Sequence, residues 1–199
     1  MKPTNYFPFA IFAIFAAIPI LIAIFAETDK GPPLGGWMEQ FNVIEAPGPV
    51  PDVAFEDGAG RKITLRDFAG RVVLVNFWAT WCAPCVREMP SLDRLQARLG
   101  GKDFTVVAVD EDRDGRVVGK PFLAKLGLRN LDFYLDHRMA LSRALGVRGL
   151  PTSVLIDRNS RVVGRLDGLA EWDTPEAEAL IRYFAGELRP KSDINPPSK

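Results

Sequence analysis

Two cysteines and one histidine are all the Cys and His side chains in a chain of 199 residues. They cannot complete a four-ligand structural zinc site, so a zinc finger or ribbon is excluded. Charge of either sign is not in excess, with 25 Lys plus Arg against 25 Asp plus Glu, and a balanced chain has no basic face for neutralising phosphates. Nucleic acid is therefore not expected as a partner. A glycine-rich strand-to-helix fingerprint is missing as well, so no nicotinamide or flavin cofactor is expected. There is no internal repeat and no low-complexity run. What is present, 47% hydrophobic and 25% charged residues, is the ordinary balance of one globular domain with an appendage.

The apolar residues are unevenly spread. Twenty of the first 26 residues are apolar and Lys2 is the only charged one among them. From Tyr6 to Ala26 no charge occurs, and 21 residues of helix would span roughly 31 Å, the thickness of a bilayer core. Residues 6–26 are thus expected to be a single transmembrane helix, with Pro8 and Pro19 tolerated in it. A cleaved signal peptide is the competing reading. It requires a small-x-small site, whereas Ala23 and Ala26 are three apart and Ile24 stands where a small residue is needed. Lys2 and the α-amino group before the span, with Glu27 and Asp29 and then Lys30 after it, favour a cytoplasmic N-terminus over residues 1–5. The following domain would then face an oxidising space, the periplasm of a bacterial inner-membrane protein.

Residues 27–50 are rich in Gly and Pro and read as a linker, although Trp37, Met38, Phe41, Val43 and Ile44 leave room for a short packed helix. Residues 189–199, with Pro190, Pro196 and Pro197 among polar residues, read as a disordered tail. Residues 51–188 have the size of one domain. Within it, Asp57-Gly58-Ala59-Gly60 signals a hairpin, and Val72–Trp78 and Phe104–Val109 are apolar runs expected as buried strands. Val86, Met89, Leu92, Leu95 and Leu99 recur at helical spacing up to Gly100-Gly101. Short helices are expected over 122–126 and 139–145, a strand pair over 152–156 and 161–166, and a closing helix capped by Asp173 or Thr174. The sum is an α/β domain, a central mixed sheet with helices on both faces.

The chemistry sits where the first buried strand becomes a helix. Trp81-Cys82-Ala83-Pro84-Cys85 sets two cysteines, two residues apart, at a helix N-terminus. Unpaired amides and the positive end of the helix dipole favour thiolate over thiol there, which makes such cysteines nucleophilic near neutral pH. Cys82 is the outer cysteine, expected to meet solvent, and Cys85, one turn in, is placed to resolve a mixed disulfide. Pro84 removes an amide hydrogen where a helix start has no acceptor for it. A structural staple would close too small a loop to stabilise much, and haem attachment would need His where Val86 stands. The pair is read as a working redox couple. Trp78 is expected in the core and Trp81 on an apolar rim.

Asn76 to Pro90 resembles the active-site segment of the thioredoxin superfamily, and more narrowly of membrane-anchored TlpA-type and ResA-type thiol-disulfide reductases. The resemblance covers residues 51–187 and implies a thioredoxin fold. It implies that Gly149-Leu150-Pro151-Thr152 holds a cis X-Pro bond beside the cysteines, with the Leu150 backbone offered to an extended substrate segment. It implies a kink at Pro90, and an acid near the pair at Glu88, three residues after Cys85. A solvated surface carboxylate is the other reading of Glu88. Thioredoxins carry a buried Asp where Asn76 stands, and cytochrome c maturation thioredoxins carry Glu where Thr152 follows the proline. Leu169-Ala170-Glu171-Trp172 is most similar to TlpA.

The family implies a reductase of disulfides in periplasmic proteins. Its clients would be cytochrome oxidase copper-centre assembly factors or, second, apocytochrome c, and a membrane thiol reductant of the DsbD or CcdA type would supply electrons. A monomer without a cofactor or metal is expected. A function of another class stays open, a docking module that binds partners beside Trp81 without turnover. Asp110-Glu111-Asp112-Arg113-Asp114 is expected as a solvated loop, because Pro121 occupies the position where a calcium loop needs its bidentate Glu.

Overall fold

A computed structural model describes residues 31–187. The apolar segment 6–26, residues 1–5 and the tail from 189 lie outside the described residues, as do the expectations attached to them. Among the described residues no helix is long and apolar enough to cross a membrane.

Among the described residues eight strands form one sheet: β1 (Asn42–Pro49), β2 (Phe55–Asp57), β3 (Lys62–Ile63), β4 (Val72–Trp78), β5 (Phe104–Asp110), β6 (Tyr134–Leu135), β7 (Thr152–Ile156) and β8 (Arg161–Asp167). Their order is β1-β8-β7-β4-β5-β6-β2-β3, with β4, β5 and β6 parallel to one another and the remaining pairs antiparallel. The described residues also form four α-helices: α1 (Ala83–Leu99), α2 (Gly115–Lys125), α3 (Ala140–Ala144) and α4 (Pro175–Phe184).

Every residue of β4 and β5 is buried, as expected for strands covered on both faces. The two-residue period sorts them. Val72, Leu74 and Trp78 join a cluster with Met89, Leu92 and Leu95 of α1 and Leu180 and Ile181 of α4, whereas Val73, Val75 and Phe77 join Phe55, Phe68, Tyr134 and Leu141 in another. The same alternation places Asn76 on the α1 face.

Residues 36–49 correct the linker expectation. A turn of 3₁₀ helix, Gly36–Gln40, and strand β1 belong to the domain, with Met38 and Phe41 buried in its core. β1 contains Pro47 and Pro49, and it lies at the sheet's edge, where prolines without amide donors are tolerated. The Phe41 ring fills the space over Gly164 of β8, where a Cβ would collide with it.

α2 starts seven residues ahead of the helix expected at 122. Gly115, Gly119 and Pro121 hid it, since all three are poor helix formers. Both glycines are required by packing: the buried Asp110 carboxyl lies against them, and a Cβ on Gly115 would stand 2.6 Å from Asp110 Oδ2. The acidic run also differs from the solvated loop expected, because Asp110, Glu111 and Asp112 are all buried. The two hairpin turns share one design, in which Asp57 Oδ1 accepts from the amides of Ala59 and Arg61, and Asp157 Oδ1 from those of Asn159 and Arg161. The left-handed position that each turn needs is taken by Gly60 at φ +87° and by Ser160 at φ +57°.

Candidate active site

The turn between β4 and α1 carries the cysteine pair. Cys82 and Cys85 are joined in a disulfide. Cys82 is the N-cap of α1, and its Sγ accepts from the Cys85 backbone amide at 3.3 Å. The sulfur therefore takes the place that a capping oxygen usually fills, directly over the helix N-terminus. Pro84 lies in the first turn of α1. Cys82 is only 5% exposed and Cys85 is fully buried, so the outer cysteine meets solvent through a narrow edge, less than its position in the sequence suggested. Pro90 sits inside α1, which continues through it to Leu99.

Glu88 is fully buried beneath the pair, which removes the reading of a surface carboxylate. Its Oε1 accepts from the Asn76 side-chain amide at 2.6 Å and its Oε2 from the Ala170 backbone amide at 3.1 Å. Asn76 also donates to Ser153 Oγ at 3.0 Å, a pairing set by the register that places Ser153 directly opposite Asn76. Ser91 Oγ donates to the Glu88 carbonyl and accepts from the Trp172 amide, which ties the 169–172 loop to the same helix. The Trp172 indole N–H stands near the Glu88 carboxylate without completing a hydrogen bond of standard geometry. Burial pushes the Glu88 carboxyl up to about 7, against the opposing pull of the Asn76 and Ala170 hydrogen bonds. Such a group exchanges protons near neutral pH, one helical turn from Cys85.

The Leu150–Pro151 bond is cis. Pro151 is buried at the start of β7, next to the end of β4 from which the cysteine turn departs, and its carbonyl accepts from Gly168. Leu150 is half-buried and lines a groove of about 390 Å³ together with Trp81, Glu111, Met139 and Arg143. Trp81 is 67% exposed and Trp78 is fully buried, stacked on Phe122.

The redoxin family pattern matches residues 45–181 of this chain. The chain belongs to the redoxin family. Within it, the thiol-disulfide oxidoreductase ResA of Bacillus cereus is 33% identical over 133 residues, 67% of this chain and 76% of that one. ResA of Geobacillus thermodenitrificans is 37% identical over 112 residues, 56% of this chain and 63% of that one. The solved structure of a proposed thiol:disulfide interchange protein DsbE from Chlorobium tepidum superposes with a TM-score of 0.64 at 34% identity. It covers 72% of this chain and 99% of its own. This redoxin is a thioredoxin-fold thiol-disulfide oxidoreductase of the ResA/DsbE type.

Three parts of the redoxin site were not found from sequence. Ser153 and the Ala170 amide complete the Glu88 pocket, and the polar break that Asn76 makes in an apolar strand was the signal for a partner across the sheet. Asp110 closes β5 beside Trp78, and burial raises its carboxyl to about 8. Asp112 fastens the cysteine turn, accepting from the Thr80 amide at 2.8 Å and from its hydroxyl. Among the described residues no three His, Cys, Asp or Glu side chains group closely enough to hold a metal.

Proposed function

We propose that this redoxin is a membrane-anchored, periplasmic reductase of protein disulfides. The observation that carries the reading is the placing of Cys82 Sγ on the N-terminus of α1, with the buried Glu88 one turn behind Cys85. In the reduced protein the Cys82 thiolate attacks one sulfur of a partner's disulfide, forming a mixed disulfide and releasing the partner's first thiolate. Glu88 accepts the proton of the Cys85 thiol, and the Cys85 thiolate attacks Cys82 Sγ. The Cys82–Cys85 disulfide forms, the second partner thiolate leaves, and two electrons have passed to the partner. Leu150 and Pro151 present backbone beside the pair to an extended segment, and Trp81 supplies an apolar rim.

The uncharged run from Tyr6 to Ala26 supports an uncleaved anchor, and Lys2 ahead of it supports a periplasmic domain. Electrons to restore the thiols would come from a membrane reductant of the DsbD or CcdA type. The Leu169–Trp172 segment, whose Ala170 amide holds Glu88, supports the TlpA-type clients, copper-centre assembly factors of cytochrome oxidase. Apocytochrome c is the second client class.

A Cys85→Ser variant expressed as the full chain tests the reading, since it cannot resolve the mixed disulfide. It is expected to accumulate, in the membrane fraction, a covalent complex with a Cys-containing periplasmic protein that reductant releases. Recovery of the chain in the soluble fraction would contradict the anchor. Absence of any reductant-sensitive complex would contradict the reductase.

A further inference from the structure

Glu111 follows the last residue of β5 and is 5% exposed. The Ser142 hydroxyl stands near its carboxyl but donates to the Met139 carbonyl, and Oε1 has no partner among the described residues. The residue is not sealed in the core. It lines both grooves that flank Trp81, one shared with Leu150, Met139 and Arg143, the other with Asp112, Asp114 and Val118.

The surroundings are apolar above and acidic below. Trp81, Val118 and Met139 are exposed by 67%, 42% and 37%. Met139 is held in the left-handed region at φ +52°, unusual for a side chain of that size, with its amide bonded to the Asp136 carbonyl. Asp112 and Asp136 are buried beside Glu111, but their oxygens are committed, to Thr80 and to the first amides of α3. Glu111 Oε1, in contrast, has no partner of this kind among the described residues. Burial, then Asp136, push the Glu111 carboxyl above the usual range, and Arg143 offsets this only in part. Arg148 in the first groove and Arg113 in the second are the remaining cations.

We propose that Glu111 is a specificity-determining residue that receives a Lys or Arg side chain from the segment flanking the substrate's disulfide, its stem covered by Trp81, Met139 and Val118. An ammonium or guanidinium brings the donor that Oε1 lacks, and its aliphatic stem suits the apolar rim. The Trp81 face adds a cation–π contact. The inference deepens the proposed function and rests on its reductase reading.

Disulfide-linked peptide pairs with Lys, or its neutral isostere norleucine, beside the cysteine test it. The reduced full chain is expected to turn over the Lys peptide with a kcat/KM about tenfold higher at low salt, through KM, the size expected of one well-placed charged contact. The ratio is expected to fall toward one in about 0.5 M KCl, and to about one in Glu111→Gln. The salt series uses the unmodified protein and stands even if that variant folds poorly. A ratio of one in the unmodified protein at low salt, or a Lys preference retained in a Glu111→Gln protein of unchanged melting temperature, would overturn the assignment. Turnover of neither peptide would instead overturn the reductase reading.

Discussion

Asn76 of β4 donates to Glu88 of α1 at 2.6 Å, and this contact joins the strand that leads into the cysteine turn to the helix that carries Cys85. The joint is buried, and it holds a carboxyl that burial pushes from 4.5 to about 7. Its two hydrogen bonds favour the charged form, yet desolvation outweighs them.

Stability should therefore fall as pH rises through this interval. Between about 4.5 and 7 the folded protein keeps the Glu88 proton that the unfolded chain has released, so folding is favoured below 4.5 and the advantage is lost by about 7. The shift corresponds to about 3 kcal/mol. Asp110, raised from 3.8 to about 8, acts with the same sign over a wider range. Urea unfolding at pH 5 and 7.5 should show a smaller loss in Glu88→Gln than in the unmodified protein, with the Asp110 part remaining. Identical losses in the two proteins would contradict a raised Glu88.

Turnover should depend on the same proton. If Glu88 takes the Cys85 proton, the pH profile of disulfide reduction carries an inflection near 7 that Glu88→Gln removes, with kcat reduced about 10²-fold. A profile that keeps the inflection would assign it to another group.

Gly119→Ala gives a test whose sign is unusual. In an exposed helix interior the change stabilises by about 1 kcal/mol. Here the new Cβ would collide with the buried Asp110 carboxyl, and a loss of about 2 kcal/mol is expected, as for overpacking. Adding Asp110→Ala should recover most of it. A higher melting temperature in Gly119→Ala alone would contradict the packing of α2 on β5.

Trp81→Ala should leave stability within about 0.5 kcal/mol, because the ring is 67% exposed. As a docking anchor its loss should raise KM for a protein disulfide about tenfold, with kcat little changed. Thermal melting and steady-state reduction separate the two effects.

The central elements were legible in the sequence because each carried a local signal. Val72–Trp78 and Phe104–Val109 read as strands from unbroken apolar runs, and the cysteine pair identified the helix start. What escaped depends on partners far along the chain. β1 hid behind Pro47 and Pro49, which only its position at the sheet edge makes tolerable, and α2 hid behind glycines whose reason is the Asp110 carboxyl. Burial of Glu111 and Asp112 was illegible for the same reason: a run of charges reads as solvated until the turn and helix that cover it are placed.

The most direct measurement is the initial rate of insulin-disulfide reduction by the reduced full chain and its Cys82→Ser variant, side by side. Rapid reduction by the unmodified protein is expected, with a rate in Cys82→Ser no higher than that of the free reductant. Equal rates in the two proteins would contradict the reductase reading, and would leave the Cys82–Cys85 pair without a catalytic role.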